Sequence, residues 1–291
     1  MLQHLFDAAS TGGLYALIAL GIALVFGVMN LVNFAYGELL MVGGYMVLVT
    51  QSLPWPVVAL LAILAVVVVS LAMERVAFRP VRTADPTTML ITSFAVSILI
   101  QNIVVWVAGR RPKGVDFGAG LAHPVHVGSA QVPQVELITI GVVVGLLVIL
   151  MFVLKRTQLG IQMRAAAEDF RMTRLMGVKA DTIIVAAFAA SGVLAAVAVL
   201  LLLVTIGTVS PGMGLQPVLV GFVATVIGGM GSLIGAAVGG FLLGTVTVAL
   251  QASLPLGARG YRDALVFMCV ILVLVVRPRG LFASRAMEER V

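Results

Sequence analysis

KRTQLGIQMRAAAEDFRMTRLMGVKAD, residues 155–181, is a polar island with long apolar runs on both sides. It carries Lys155, Arg156, Arg164, Arg171, Arg174 and Lys179 beside Glu168, Asp169 and Asp181. From Arg164 to Met176 the composition favours a helix, without Pro or Gly, and Gly177 supplies a stop signal. A short helix ending at Gly177 is therefore expected. Met163, Ala167, Phe170 and the aliphatic stems of Arg171 and Arg174 fall on one side of it, so it could lie against another surface. Two readings stay open here: a solvated basic loop that only fixes topology, or a helix that a partner touches.

Outward from the island the chain turns apolar. Of the 291 residues 61% are hydrophobic and only 10% charged, whereas a soluble domain has about 25% charged residues. With a mean hydropathy of +1.17, this composition places the chain in a bilayer. The net charge of +6 would suggest nucleic acid in a soluble protein, but the basic residues here flank apolar spans and instead set orientation. The one cysteine, Cys269, excludes a disulfide within the chain and reads as a small core residue. MLQHLFDAAS at the N-terminus lacks the basic residues and small-residue cleavage site of a secretory signal.

A span needs about 20 apolar residues. Nine candidates follow, at 12–29, 34–51, 55–74, 87–108, 135–154, 182–206, 215–230, 232–253 and 261–276. Of these, 34–51 and 215–230 could be re-entrant. Three basic clusters mark one face of the membrane: Arg75, Arg79 and Arg82; the island; and the tail at 277–291. The positive-inside tendency makes that face cytoplasmic and puts the N-terminus outside. Trp55 and Trp106 sit near span ends, where indoles favour the interface. On the outer side, residues 110–134 mix Gly, Pro and polar residues, which predicts an irregular or hairpin loop. His123, His126 and Asp116 in this loop lack a further ligand, so no metal site is expected.

Displaced by 177 residues, the spans superpose in hydropathy. The breaks coincide as well: Asn33-Phe-Ala-Tyr-Gly37 falls on Ser210-Pro-Gly-Met-Gly214. A first repeat at 12–108, a linking span at 135–154, a loop at 155–181 and a second repeat at 182–276 give two four-helix halves of opposite orientation, a transporter architecture. In such folds, interrupted segments at corresponding positions point to the substrate path. That selects Asn33, Gly37 and Glu38 in one half and Ser210, Gly212 and Gly214 in the other. Glu38 is the only acid inside a span rather than at its edge. It is either a functional intramembrane acid or a residue of the inner interface, solvated or paired with a loop Arg. Gly231, Gly235 and Gly239, followed by Gly240 and Gly244, form a small-residue groove for helix packing.

Several motifs together carry a resemblance. They are Gly13-Leu-Tyr-Ala-Leu-Ile-Ala-Leu-Gly21, Gly27-Val-Met-Asn-Leu-Val-Asn-Phe-Ala-Tyr-Gly37, Arg164-Ala-Ala-Ala-Glu-Asp169 with Leu175-Met-Gly177, Val226-Ile-Gly-Gly-Met-Gly-Ser-Leu-Ile-Gly-Ala236, and Arg277-Pro-Arg-Gly280-Leu-Phe. The chain resembles the LivH-type permease subunit of branched-chain amino acid ABC importers over nearly its whole length. The family usually has His where this chain has Tyr36, a departure that bears on substrate preference.

The resemblance implies an all-α polytopic permease of 8–9 transmembrane helices, similar in plan to vitamin B12-type importers. It implies that the island is a cytoplasmic coupling helix docking on an ATP-binding subunit, with Arg164, Ala165, Ala166, Ala167, Glu168, Asp169 and Gly177 in the docking region. The Glu-Ala-Ala signature of other ABC permeases is replaced here by Ala166-Ala167-Glu168. Implied partners are a second, LivM-like permease subunit, two cytoplasmic ATP-binding subunits carrying ATP and Mg, and a periplasmic substrate-binding protein, in the bacterial inner membrane. The residues themselves agree with a chain that does no chemistry: it has no phosphate loop and no Ser–His–Asp constellation. The rival expectations are an ABC permease for urea or short amides, a proton-coupled transporter using Glu38, and a channel for a small neutral solute.

Overall fold

The computed structural model describes residues 2–118, 124–127, 130–277 and 280–282. His123 lies outside these residues, as does most of the basic tail. Helix α1 is Leu2–Met29, α2 Tyr36–Thr50, α3 Trp55–Met73 and α5 Pro86–Ala108. Between α3 and α5, a π-helical turn at Glu74–Phe78 and the short α4, Arg79–Val81, carry the same rod onward. Then follow α6 Gln134–Arg156, α7 Gln158–Glu168, α8 Phe170–Leu175, α9 Ala180–Ile206, α10 Leu215–Gly228, α11 Leu233–Ser253 and α12 Arg262–Val276. Six rods are long and apolar enough to cross a bilayer: α1, α3 with its extension, α5, α6, α9 and α11. The chain is a multi-pass membrane protein.

Three apolar helices are too short to cross by themselves: α2, α10 and α12, the last of 15 residues and extended at its start by the 3-10 turn Leu256–Tyr261. With 15 and 14 residues, α2 and α10 span only about 22 Å at 1.5 Å per residue, against a hydrocarbon core of about 30 Å. Each follows a long helix and a non-helical break. The first break is Asn30–Ala35, where Asn30 takes a left-handed backbone with φ 51°. The second runs from Gly207, a left-handed cap with φ 65° that ends α9, to Gly214. Displaced by 177 residues, α1, α2 and α3 fall on α9, α10 and α11 to within three residues at every boundary.

The centre of the molecule is α1 and α9. Of their most apolar stretches 72% and 67% is buried, against 11% for α5 and 17% for α6 on the periphery. Small residues let helices approach α1 closely. A methyl group at Gly240 or Gly244 would overlap the backbone of Ala16 or Gly12, so α11 packs flat along α1. Gly235 and Gly239 face α10 instead, against Gly228 and Ala224. Gly231 departs from the expected groove: it lies before α11 in a tight turn, with φ 90°. Hydroxyls tie the centre together, with Ser191 donating to the Gly21 carbonyl (2.8 Å), Thr225 to Ala19 (3.1 Å) and Ser70 to Phe188 (2.7 Å).

One end of the bundle carries the basic clusters (the basic end) and the other carries residues 110–134 (the loop end). At the loop end a hairpin pairs β2, Pro124–Val127, with β3, Ala130–Pro133. There too β1, Lys113–Gly114, pairs antiparallel with β4, Thr208–Val209, fastening the loop to the second break. At the basic end the closing motif has a structural reason. The N–H groups of Leu281 and Phe282 donate to Ile227 and Gly228, so the chain satisfies the carbonyls where α10 stops. Cys269 is exposed on α12 rather than packed in the core, because the outward face of a membrane helix is as apolar as its interior face.

Candidate functional site

The two breaks meet. The backbone of Gly37, at the start of α2, touches that of Gly214, the cap of α10. A Cβ on Gly37 would stand 2.8 Å from the Gly214 carbonyl oxygen, and one on Gly214 would overlap the Gly37 carbonyl. Glycine is required at both positions for the half-helices to approach N-terminus to N-terminus. Neither N-terminus has a side-chain cap.

Around this contact lie buried polar groups without partners. Asn33 is 2% exposed, and neither its amide oxygen nor its nitrogen has a hydrogen bond. The Tyr36 hydroxyl is likewise buried and unpaired, pressed over Gly21 of α1. Glu38 is 6% exposed; one carboxylate oxygen accepts from the Ser97 hydroxyl at 2.8 Å and the other, Oε2, has no partner. Glu38 is therefore neither solvated at an interface nor paired with an Arg. Its partner sits midway along α5, so the carboxylate lies at mid-depth.

Ser210 opens the last turn of the second break, its carbonyl accepting from the Met213 N–H at 3.1 Å. Gly212 lies open, facing Gln101. The structure thus draws Gly37, Glu38 and the Ser210–Gly214 turn together.

The residues that hold this arrangement lie on α5, which the sequence reading did not single out. Gln101 donates to the Pro211 carbonyl at 3.0 Å, one turn beyond the Ser97–Glu38 bond. One turn the other way, Phe94 stacks on Phe34 with centroids 4.5 Å apart, and Phe34 also meets Phe222 of α10 at 5.9 Å. Ser93, Ser97 and Gln101 at i, i+4 and i+8 on an otherwise apolar helix were the available signal.

The island folds differently from the single helix expected. It forms two helices, α7 and α8, broken at Asp169, whose backbone is extended (φ −146°, ψ 99°). The reason is local: the Asp169 carboxylate accepts from the Met172 N–H at 2.9 Å, making it the N-cap of a new helix rather than an interior residue of the old one. Thr157 caps α7 in the same way, accepting from Gly160 at 3.1 Å. The inward face is Gly160, Met163 and Ala166, which shares Met163 with the expected face but buries Ala166 in place of Ala167.

Arg164, Ala165, Ala167, Glu168, Asp169 and Gly177 are exposed. The Arg164 guanidinium donates to the Leu154 carbonyl at the end of α6 (3.0 Å), and Ala167 lies against Gly27 at the end of α1. Beyond the break, Met172, Leu175 and Met176 are 59%, 77% and 85% exposed, an apolar tip on a basic surface. Arg82 pairs with Asp181 at 2.6 Å, and Arg79 pairs with the same carboxylate, joining the α3 rod to the start of α9.

A multi-pass bundle in which two uncapped half-helices meet at mid-depth has the architecture of a membrane transport protein. The chain belongs to the family described as branched-chain amino acid transport system, permease component, whose model matches residues 4–275. It is 34% identical to the high-affinity branched-chain amino acid transport system permease protein BraD of Pseudomonas aeruginosa, over 99% of this chain and 97% of that protein. It is 32% identical to the corresponding permease protein LivH of Escherichia coli over the same shares. A probable branched-chain amino acid transport permease of Methanocaldococcus jannaschii is 25% identical over 92% of this chain.

Proposed function

We propose that this chain is one transmembrane subunit of an ATP-driven importer of branched-chain, hydrophobic amino acids. The observation that carries the reading is the contact of the two half-helix N-termini at Gly37 and Gly214, beside the unpaired Glu38 and Asn33. In this reading residues 12–108 and 182–276 are inverted four-helix repeats joined by the span at 135–154, and all nine apolar helices lie in the bilayer, α2 and α10 only part-way through it. The matching boundaries of α1–α3 and α9–α11 support it. Asn33, Gly37, Glu38, Ser210, Gly212 and Gly214 line the path, and parting α2 from α10 opens it.

The basic end faces the cytoplasm of the bacterial inner membrane, so the N-terminus is periplasmic and the C-terminal tail cytoplasmic. Residues 155–181 dock on an ATP-binding subunit. The apolar tip Met172, Leu175 and Met176, exposed beside Glu168 and Asp169, suits insertion into a groove of a soluble partner. ATP and Mg bind on two such partners; a second, LivM-like permease and a periplasmic substrate-binding protein complete the assembly.

The test is purification of the complex in mild detergent, reconstitution into liposomes and uptake of labelled leucine. Uptake that requires ATP and the partner subunits is expected. Uptake by this chain alone, without ATP, overturns the reading in favour of a secondary transporter or channel, and ATP-driven uptake of urea but not leucine overturns the substrate.

A further inference from the structure

We infer that the break region is a three-point site for a zwitterionic amino acid, in which Glu38 Oε2 receives the ammonium group. This rests on the reading of the breaks as the substrate path and goes beyond it by assigning each part of the substrate to named groups.

The first argument is charge. Each helix N-terminus behaves as roughly half a positive charge, and two meet here at mid-depth with no side-chain cap. The N–H groups of Gly37 and Gln216 have no acceptor among the described residues, and glycine at 212 leaves the backbone there open to approach. Alone, this pair would attract an anion. The Glu38 carboxylate supplies the opposite charge, and the Asp263 carboxylate that accepts from the Gln216 side chain (2.9 Å) is itself paired with Arg262 (2.8 Å), so the site is close to neutral overall yet strongly polarised. A solute of zero net charge with separated charges complements it. A carboxylic acid lacking the amine, or an amine lacking the carboxylate, leaves one charge unpaired in a low-dielectric site.

The second argument is geometry, read along α5. Ser97 and Gln101 lie on the same side, separated by about 6 Å of helix rise. Ser97 holds Glu38 and Gln101 holds the Pro211 carbonyl, which places the carboxylate one turn from the turn that leads into α10. Only Oε1 of Glu38 is used by Ser97, and Oε2 remains buried and unpaired. A buried carboxylate oxygen without a donor is costly, and an ammonium is the donor it lacks. One turn to the other side stand Phe34, Phe94 and Phe222. Along α5 stand an apolar aromatic cluster and, one turn on, an anion, and beside that anion begin the two half-helices with the uncapped N–H groups of Gly37 and Gln216. The side chain, ammonium and carboxylate of a hydrophobic amino acid match them in turn. The contact between Gly37 and Gly214 closes the site, so it fills only when the half-helices part.

The test uses the complete transporter with its binding protein in liposomes. Glu38→Gln keeps the shape and the Ser97 contact but removes the charge; leucine uptake is expected to fall at least about tenfold, with Glu38→Asp intermediate. Wild-type uptake rates in Glu38→Gln overturn the inference. A second measurement needs no variant. In the wild-type transporter turning over ATP, so that the half-helices part, L-leucine at about ten times its dissociation constant should slow modification of Glu38 by dicyclohexylcarbodiimide about tenfold, by mass action, while 4-methylpentanoate should not. Equal rates with and without leucine, or equal protection by both compounds, overturn it. A wild-type complex that takes up no leucine at all defeats the proposed function instead, and the two failures are told apart by that control.

Discussion

Gly214 has an ordinary backbone conformation, φ −80°, so it is glycine for space and not for torsion. Its Cα faces the Gly37 carbonyl, and nothing there can yield, because the obstructing atoms are backbone. Gly214→Ala is expected to push α2 and α10 apart and to cost about 1–3 kcal/mol, the usual range for overpacking. Thermal unfolding of the purified chain in detergent measures it, and an unchanged midpoint would mean the two backbones are not in contact. The charged residues at the basic end are a contrast. Asp181 pairs with Arg79 and Arg82, but its side chain is 44% exposed, and solvent screens such pairs. Asp181→Asn should cost less than about 1 kcal/mol, and less still as salt rises; a larger, salt-independent loss in the same unfolding assay would contradict this.

At the scale of elements, the break between α7 and α8 matters most. By starting a second helix at Asp169 the island turns Met172, Leu175 and Met176 outward, instead of continuing α7 along the membrane surface. An apolar tip kept in water has no role inside this chain. Leu175→Asp with Met176→Asp should therefore leave folding within about 0.5 kcal/mol, as substitutions at exposed sites usually do. The same pair should abolish ATPase stimulation by the loaded binding protein in the reconstituted complex. Full stimulation in the double variant would remove the tip from the docking surface. Glu168→Lys with Asp169→Lys tests the flanking charges in the same assay, with uncoupling of ATP hydrolysis from uptake expected.

At the scale of the whole molecule, the core and the site are both shared between the halves, but they are held differently. Helix α1 is bonded to α9 through Ser191 and to α10 through Thr225, and α11 lies flat on it through Gly240 and Gly244, whereas the two breaks meet at Gly37 and Gly214 and are held from α5 by Ser97, Gln101 and the stacked Phe94. Parting the breaks against a fixed centre breaks fewer interactions than any motion through the centre. Ser97→Cys in a Cys269→Ala background reports on it, since Cys269 is the only native thiol. Labelling of the new thiol by a membrane-impermeant methanethiosulfonate is expected to rise about tenfold during ATP turnover, because that residue is half-buried behind the closed contact at rest. Equal labelling with and without ATP would mean the breaks do not open.

Composition and hydropathy by themselves determined that the chain lives in a bilayer, where its helices run and where its breaks fall, because a membrane span must satisfy its backbone within one segment and leaves a one-dimensional trace. They also marked Asn33, Gly37, Glu38 and Gly214, since polar or small residues inside an apolar run are costly or permissive whatever surrounds them. The tertiary structure alone decided that the two breaks touch, that Glu38 answers to Ser97 at mid-depth rather than to an Arg at the surface, and that α5 fastens both halves. Those contacts join residues 59 and 110 positions apart in the chain and, for Gly37 and Gly214, 177 positions apart. In an apolar solvent, hydropathy assigns no preference among the faces of a helix, so only packing could say which face of α5 points inward and why Cys269 points out.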